Sequence, residues 1–329
     1  MADEIQRLRV ASYNIAGTKK RAYTVRDFLP WTQGKVNYGV LDGIAEFCHS
    51  YKIDVIAFQE IERSFHFTGY LNQQKYIQEK AGFSHFEYIT NFNFGKAYFD
   101  HGLCILSKLP IEDPRKVKLY RQDDWYFHLV EQFIGTKKAL VTSIAIADVP
   151  ITFINAHLTD GDAKQRAKEV SILFEYALQC TPAILLGDFN TPPKGNRKKG
   201  NGPRYINDES LSEIEELSRK HPRLIKVNPQ LSLFDPDLET EERHFTYPAD
   251  SPNVKLDYVF VVNKDDDPVQ IDIVEAFVPD VQLSDHRPII SDLCIEKRQV
   301  AHEPTAPSEE EKKEEKSVLE NIASLIKGD

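Results

Sequence analysis

"LLGDFNTPP", residues 185–193, begins on apolar residues and closes on two prolines, with Gly187, Asp188 and Asn190 between them. Extended back to Pro182, its apolar half "PAILL" has the aliphatic run of a strand buried on both faces. Pro192 and Pro193 end that strand, because proline has no N–H to give to a ladder. The stretch therefore presents a carboxylate and an amide at the mouth of a buried strand. Loops at such strand ends are where α/β proteins build their sites.

Outward from this segment, apolar β-rich runs alternate with longer amphipathic ones. Residues 8–16, 54–61, 101–111, 138–146, 150–158, 256–263, 270–278 and 288–296 read as further strands. Residues 38–51 read as a helix, as does the region near 210–220. "AKQRAKEVSILFEYALQC" (163–180) places Val170, Leu173, Phe174, Ala177 and Leu178 on one helical face. The order predicts a layered α/β protein with mixed sheets. Short-period repeats are absent, and two similar strand-helix-strand halves are compatible with the pattern without being established by it.

The chain has 329 residues, 41% apolar and 28% charged, which fits one large globular domain or two small ones and excludes a disordered or fibrous protein. A net charge of −10 argues against a broad nucleic-acid-gripping surface. Two basic clusters interrupt that background, "KKR" at 19–21 and "KGNRKKGNGPR" at 194–204. No apolar run reaches the roughly 18 residues that span a bilayer, and "MADEIQRLRV" is charged where a secretory signal is apolar. The reading is a cytoplasmic protein that is not transmembrane. Cys48, Cys104, Cys180 and Cys294 are too widely spaced for a zinc motif and are expected to be reduced core residues.

Composition changes after Lys297. "RQVAHEPTAPSEEEKKEEK" is polar, Pro-containing and charge-dense, and "SVLENIASLIKGD" follows with Val318, Leu319, Ile322, Leu325 and Ile326 on one helical face. Residues 299–329 carry eight acidic and four basic side chains, a net of −4. The expected division is a catalytic domain over 1–298, a charged linker over 299–316 and a short amphipathic helical tail over 317–329. That tail either docks on its own domain or offers a surface to a partner.

Polar residues recur where the strands end: Asn14, Glu60, His157, Asp188, Asn190, Asp257, Asp285 and His286. Taken singly each has an ordinary explanation, such as a turn residue, a solvated strand end, a half-buried histidine or an Asx turn before proline. Eight such residues together, mixing acids, amides and two histidines, fit metal-assisted hydrolysis of a phosphate ester. A hard cation such as Mg²⁺ takes oxygen ligands and keeps several waters, so Glu60 and Asp285 suffice to hold it. Amide and imidazole groups then hold phosphoryl oxygens while a further carboxylate, Asp188, deprotonates water.

"ASYNIAG", "FQEIE", "INAHL", "LLGDFNTPP", "LDYVFV" and "LSDHRPI" together resemble the successive motifs of the endonuclease/exonuclease/phosphatase superfamily. They occur in that family's order from residue 11 to 289, with "GDFN" and "SDHRP" the most diagnostic. The resemblance implies a four-layered α/β sandwich with two central mixed β-sheets. It implies Glu60 as principal ligand of Mg²⁺, or of Mn²⁺, with Asn14 beside it and Asp285 near the metal. It further implies His157 and Asn190 as phosphate contacts, Asp188 as the acid that activates water, and Asp257 as the acid paired with the catalytic His286.

Substrate is carried by loops. Inositol-polyphosphate 5-phosphatases have "GDLNYR" and "WCDR" forms where this chain has "GDFNTPP" and "KLDYVF", which lowers that option. Arg197, Lys198 and Lys199, just after the catalytic strand, are candidates to bind a nucleic-acid backbone or a lipid headgroup. Tyr98, Phe99, Trp125 and Tyr126 are candidates to stack on bases. The expectation is a phosphodiesterase with nuclease-like activity. The alternatives are a sphingomyelinase-like or phosphoinositide-directed enzyme acting on lipid, and a non-catalytic scaffold that keeps the fold.

Overall fold

The computed structural model describes residues 5–18, 36–65, 69–93, 99–119, 137–160, 162–192, 209–221, 225–227 and 244–298. β1 (Ile5–Asn14) and β2 (Val55–Phe65) run parallel, with α1 (Tyr38–Ser50) between them in the chain. β7 (Val149–His157) and β8 (Ala183–Asp188) repeat this arrangement around α3 (Ala163–Gln179). Each parallel pair forms the centre of a six-stranded sheet. The first sheet runs β11 (Val269–Phe277), β12 (Ile289–Lys297), β1, β2, β4 (Phe99–Ser107), β3 (His85–Asn93). The second runs β5 (Ile111–Lys118), β6 (Lys138–Ile146), β7, β8, β10 (Asp257–Val262), β9 (Ile225–Val227). All the other neighbouring strands are antiparallel. The two similar strand-helix-strand halves are therefore present.

Strand alternation sorts the side chains into three apolar layers. Leu8 and Val10, Val55 and Ala57, Ile151 and Phe153, and Ile184 and Leu186 fill the space between the sheets. With opposite parity, Ala11, Tyr13, Ile56 and Phe58 pack against Leu41 and Ile44 of α1. Ile154, Ala156 and Leu185 pack against Leu173 and Phe174 of α3. α2 (Gln73–Ala81) joins the first outer layer through Ile77, and α4 (Glu209–Lys220) the second through Ile214 and Leu217. The result is the expected four-layered sandwich, helices outside and two mixed sheets within. Each fully buried aliphatic or aromatic side chain contributes about 1.5–3 kcal/mol.

The predicted strands and helices are present within a few residues of their expected bounds. The pattern missed α2, β3, β5 and β9. In α2 half of the buried face is Gln73 and Gln74, beside Ile77 and Ala81, so apolar periodicity is faint. β3 and β5 are edge strands, and β5 carries Pro114 and a charged exposed face that guards the edge. Among the cysteines, Cys48 and Cys104 are core residues as expected, whereas Cys180 and Cys294 are only half-buried, and all four are free thiols. No helix among the described residues is long and apolar enough to cross a membrane. The linker and tail expected over 299–329 lie outside the described residues.

Candidate active site

The parity that fills the inter-sheet layer also builds the site. Continuing β1 from Val10 in steps of two reaches Asn14, and β7 from Phe153 reaches His157. The same steps carry β8 from Leu186 to Asp188, while Asp257 opens β10 ahead of Val259. All four positions face the open end of that layer, at the carboxyl ends of the parallel strands where α/β ligand sites form. Glu60 arrives differently. The pairing of β2 with β4 shifts between Phe58 and Ile61, and the bulge turns Glu60 to φ 55°. Left-handed backbone at a non-glycine residue costs about 1–3 kcal/mol and is held by the surrounding sheet.

Gly187 brings β8 close to β7. A Cβ on it would stand 2.0 Å from the Ala156 carbonyl oxygen, so no other residue fits without parting the strands. The next register pair is His157 with Asp188. After Asp188 the chain turns at Asn190, φ 48°, whose N–H donates to Asp188 Oδ1 at 2.9 Å. Asparagine tolerates that conformation well.

Three groups converge on Asp188 Oδ2. Asn14 Nδ2 donates to it at 3.0 Å, His157 Nε2 lies at 3.6 Å and His286 Nε2 at 3.7 Å. Asn14 Nδ2 also reaches Glu60 Oε1 at 3.2 Å, and its oxygen accepts from the Ala16 N–H at 3.0 Å. His157 Nε2 stands 3.8 Å from Glu60 Oε1. His286 Nδ1 pairs with Asp257 Oδ2 at 2.9 Å, and Tyr247 packs on its ring at 4.9 Å.

These surroundings drive the titrating groups apart. Burial holds His157 well below the usual imidazole value, and the nearby Lys137 adds to the effect, so it is neutral. His286 is as deeply buried, yet the carboxylates of Asp257 and Asp188 hold it up to about 10, so it is an imidazolium. Asp188 is pushed up to about 7, first by burial, against the pull of His286. A neutral imidazole, a cationic imidazole and a carboxyl near neutrality thus share one oxygen, the pattern that separates acid from base roles.

Glu60 has 28% of its side chain exposed at the rim. Asp285, held by Ser284 Oγ at 3.1 Å, titrates above the usual carboxylate value through burial and through the charge of Glu60. Two neighbouring acids and an amide at a half-open rim fit a hard divalent cation with retained waters. Asp188, Asp257 and His286 also bring ligand atoms within 4.8 Å of one another. That trio fits a metal less well, because the His286 nitrogen facing Asp257 is already hydrogen-bonded and all three are buried.

The eight strand-end residues predicted from the sequence therefore gather at one edge, Asn190 donating through Nδ2 to the Leu158 carbonyl at 3.1 Å. Arg197, Lys198 and Lys199 lie outside the described residues, as do Tyr98, Trp125 and Tyr126; Phe99 opens β4, its side chain undescribed. Sequence reasoning missed Lys137. Its Nζ donates to that same Leu158 carbonyl at 3.1 Å, placing a cation beside Asn190, and it interacts with Glu60 and Asp188. The only signal was two lysines ahead of an apolar strand.

A four-layered sandwich with this acid and imidazole cluster at its mouth has the architecture of phosphoester hydrolases. Residues 11–286 match the model of the Endonuclease/Exonuclease/phosphatase family, and the chain belongs to that family. Its members are hydrolases acting on phosphoester bonds. Several solved structures share the fold. The endonuclease/exonuclease/phosphatase of Beutenbergia cavernae is 17% identical, with 87% of this chain and 71% of that one covered and a TM-score of 0.59. The family protein of Leptotrichia buccalis is 16% identical, with 86% and 98% covered and a TM-score of 0.56. TDP2 of D. rerio, solved with a single-stranded DNA product, is 15% identical, with 87% and 98% covered and a TM-score of 0.54. The search of curated proteins returned no match.

Proposed function

We propose that this protein is a Mg²⁺-dependent phosphodiesterase with nuclease-like activity. The observation that carries the reading is the convergence of Asn14, His157 and His286 on Asp188 Oδ2. Asp188, poised near neutrality by burial, takes a proton from water as the water oxygen attacks phosphorus and the P–O ester bond breaks, the departing oxygen leaving as an alkoxide that takes its proton from solvent water. His286, held charged by Asp257, donates from Nε2 to a non-bridging oxygen as charge grows there. His157 and Asn190 orient the phosphate. Glu60, with Asp285 and Asn14, would hold Mg²⁺, with Mn²⁺ as a substitute; when bound, the ion supplies positive charge against the phosphoryl oxygens.

Nucleic acid is favoured as substrate by the fold shared with a DNA-bound relative and by the basic run Arg197, Lys198 and Lys199 soon after Asp188. A cytoplasmic setting is supported by four free thiols. The test is hydrolysis of single- and double-stranded DNA, RNA, sphingomyelin micelles and phosphoinositides in Mg²⁺, wild type against Asp188→Asn. Turnover of a nucleic acid that the variant lacks bears out the proposal. Turnover of lipid alone moves the substrate to a headgroup, and metal-free or absent turnover on every substrate overturns it.

A further inference from the structure

One step deeper than Asn14, Glu60 and His157, the inter-sheet layer changes from apolar to polar. Ser12, Gln59 and Asn155 have their side chains there, each fully buried. Ser12 lies two residues before Asn14, Gln59 one before Glu60, and Asn155 two before His157. From the second sheet, Asn155 Nδ2 donates at 2.9 Å to the Phe58 carbonyl on β2 and at 2.9 Å to the Cys104 carbonyl on β4. Phe58 and Cys104 are the last register partners before the bulge that carries Glu60. Asn155 Oδ1 accepts from Gln59 Nε2 at 2.8 Å, and that nitrogen also donates to Ser12 Oγ at 3.1 Å.

The candidate centre is divided between the sheets, Asn14 and Glu60 on the first, His157 and Asp188 on the second. Apolar packing sets the separation of two sheets but is non-directional and leaves sliding weakly resisted. A buried network whose donors and acceptors are paired resists it. We propose that Asn155, with Gln59 and Ser12, is a positioning device that locks the lateral register of the two sheets beneath the site. It thereby sets the spans from Asn14 to Asp188 and from His157 to Glu60, which are 3.0 and 3.8 Å. The kinetic consequence rests on the hydrolase reading above; the clamp itself does not.

The test compares Asn155→Leu, Gln59→Leu and the double variant, on whichever substrate the wild type turns over and Asp188→Asn does not. In Asn155→Leu, kcat falls about 10- to 100-fold while KM stays within about 3-fold, since displacements near 1 Å cost about that much. The double variant also removes the Gln59 amide that Asn155→Leu strands without its acceptor, so it regains part of the thermal stability without regaining kcat. Recovery of kcat together with stability, or a kcat within two-fold of wild type in both Asn155 variants, overturns the proposal. If the single variant does not fold, the double variant decides. Independently of turnover, the Asn155 side-chain NH₂ protons exchange with solvent as slowly as the β7 backbone amides. Exchange at the rate of an exposed amide overturns the clamp even if no substrate is found.

Discussion

His157 and Asp188 are register partners on adjacent parallel strands, and their side chains meet at 3.6 Å between Nε2 and Oδ2. Pairing of this kind is fixed by the backbone ladder, so the contact persists as long as the two strands do. The pair belongs to the sheet and not to a loop, which is the more exact way to hold reacting groups.

Asp188→Asn should separate activity from stability. The folded carboxyl titrates at about 7, above its ordinary 3.8. A group raised in this way contributes stability that is full below the unfolded value and is lost as pH rises through the folded one. At pH 8 in metal-free buffer the variant should therefore melt no lower than wild type, while kcat drops by about 10²- to 10⁴-fold. Calorimetry and initial rates check both halves.

Asp257→Asn should move the alkaline limb of the pH–rate profile. With His286 in its proposed role as an imidazolium donor, activity is expected below its pKa of about 10 and lost above it. Removing the Asp257 charge lowers that pKa, and the limb shifts toward acid. An unmoved limb would release His286 from its assigned role.

Glu60→Gln should raise the Mg²⁺ concentration for half-maximal activity by about 10-fold or more, because a neutral amide is a poorer ligand for a hard cation. Isothermal titration of metal into the apo protein gives the same comparison without turnover.

Gly187→Ala should damage fold and site together. With 2.0 Å between the added Cβ and the Ala156 carbonyl oxygen, β7 and β8 must part. A loss of about 3 kcal/mol or more is expected, with a lower melting temperature and a fall in kcat. A melting temperature equal to wild type would show that the strands yield cheaply there.

Neutralising Arg197, Lys198 and Lys199 together should raise KM for a nucleic acid and flatten its dependence on salt, leaving kcat for a small diester unchanged. Rates measured across a salt series decide it.

Much of this was legible in the sequence, for a physical reason. β8 and β10 are buried at every residue, so their apolar runs stand out and their polar ends with them. Asp188 and Asp257 were visible because each interrupts such a run. β3 and β5 were not, because edge strands carry the polar residues that also mark loops. Asn155 and Gln59 were hidden in plain view inside "INAHL" and "FQEIE". Their neighbours drew the chemical reading, and only the placement of one sheet on the other shows what they bond. Lys137 likewise needed the fold, since 20 residues separate it from His157.

The pairing of β1 with β12, Ile5 beside Glu296, has a consequence for biosynthesis. Among the described strands, the first in the chain waits for the last before its free edge is covered, and His286 arrives just ahead of that partner. The half before α3 can collapse early, yet a chain that stops short of Lys297 leaves an open edge on β1, at the centre of its sheet, and a truncated or missing β12. Nascent or prematurely ended chains would thus carry Glu60 and Asp188 without the completed cluster around them, and their exposed β1 edge would make them targets for chaperones.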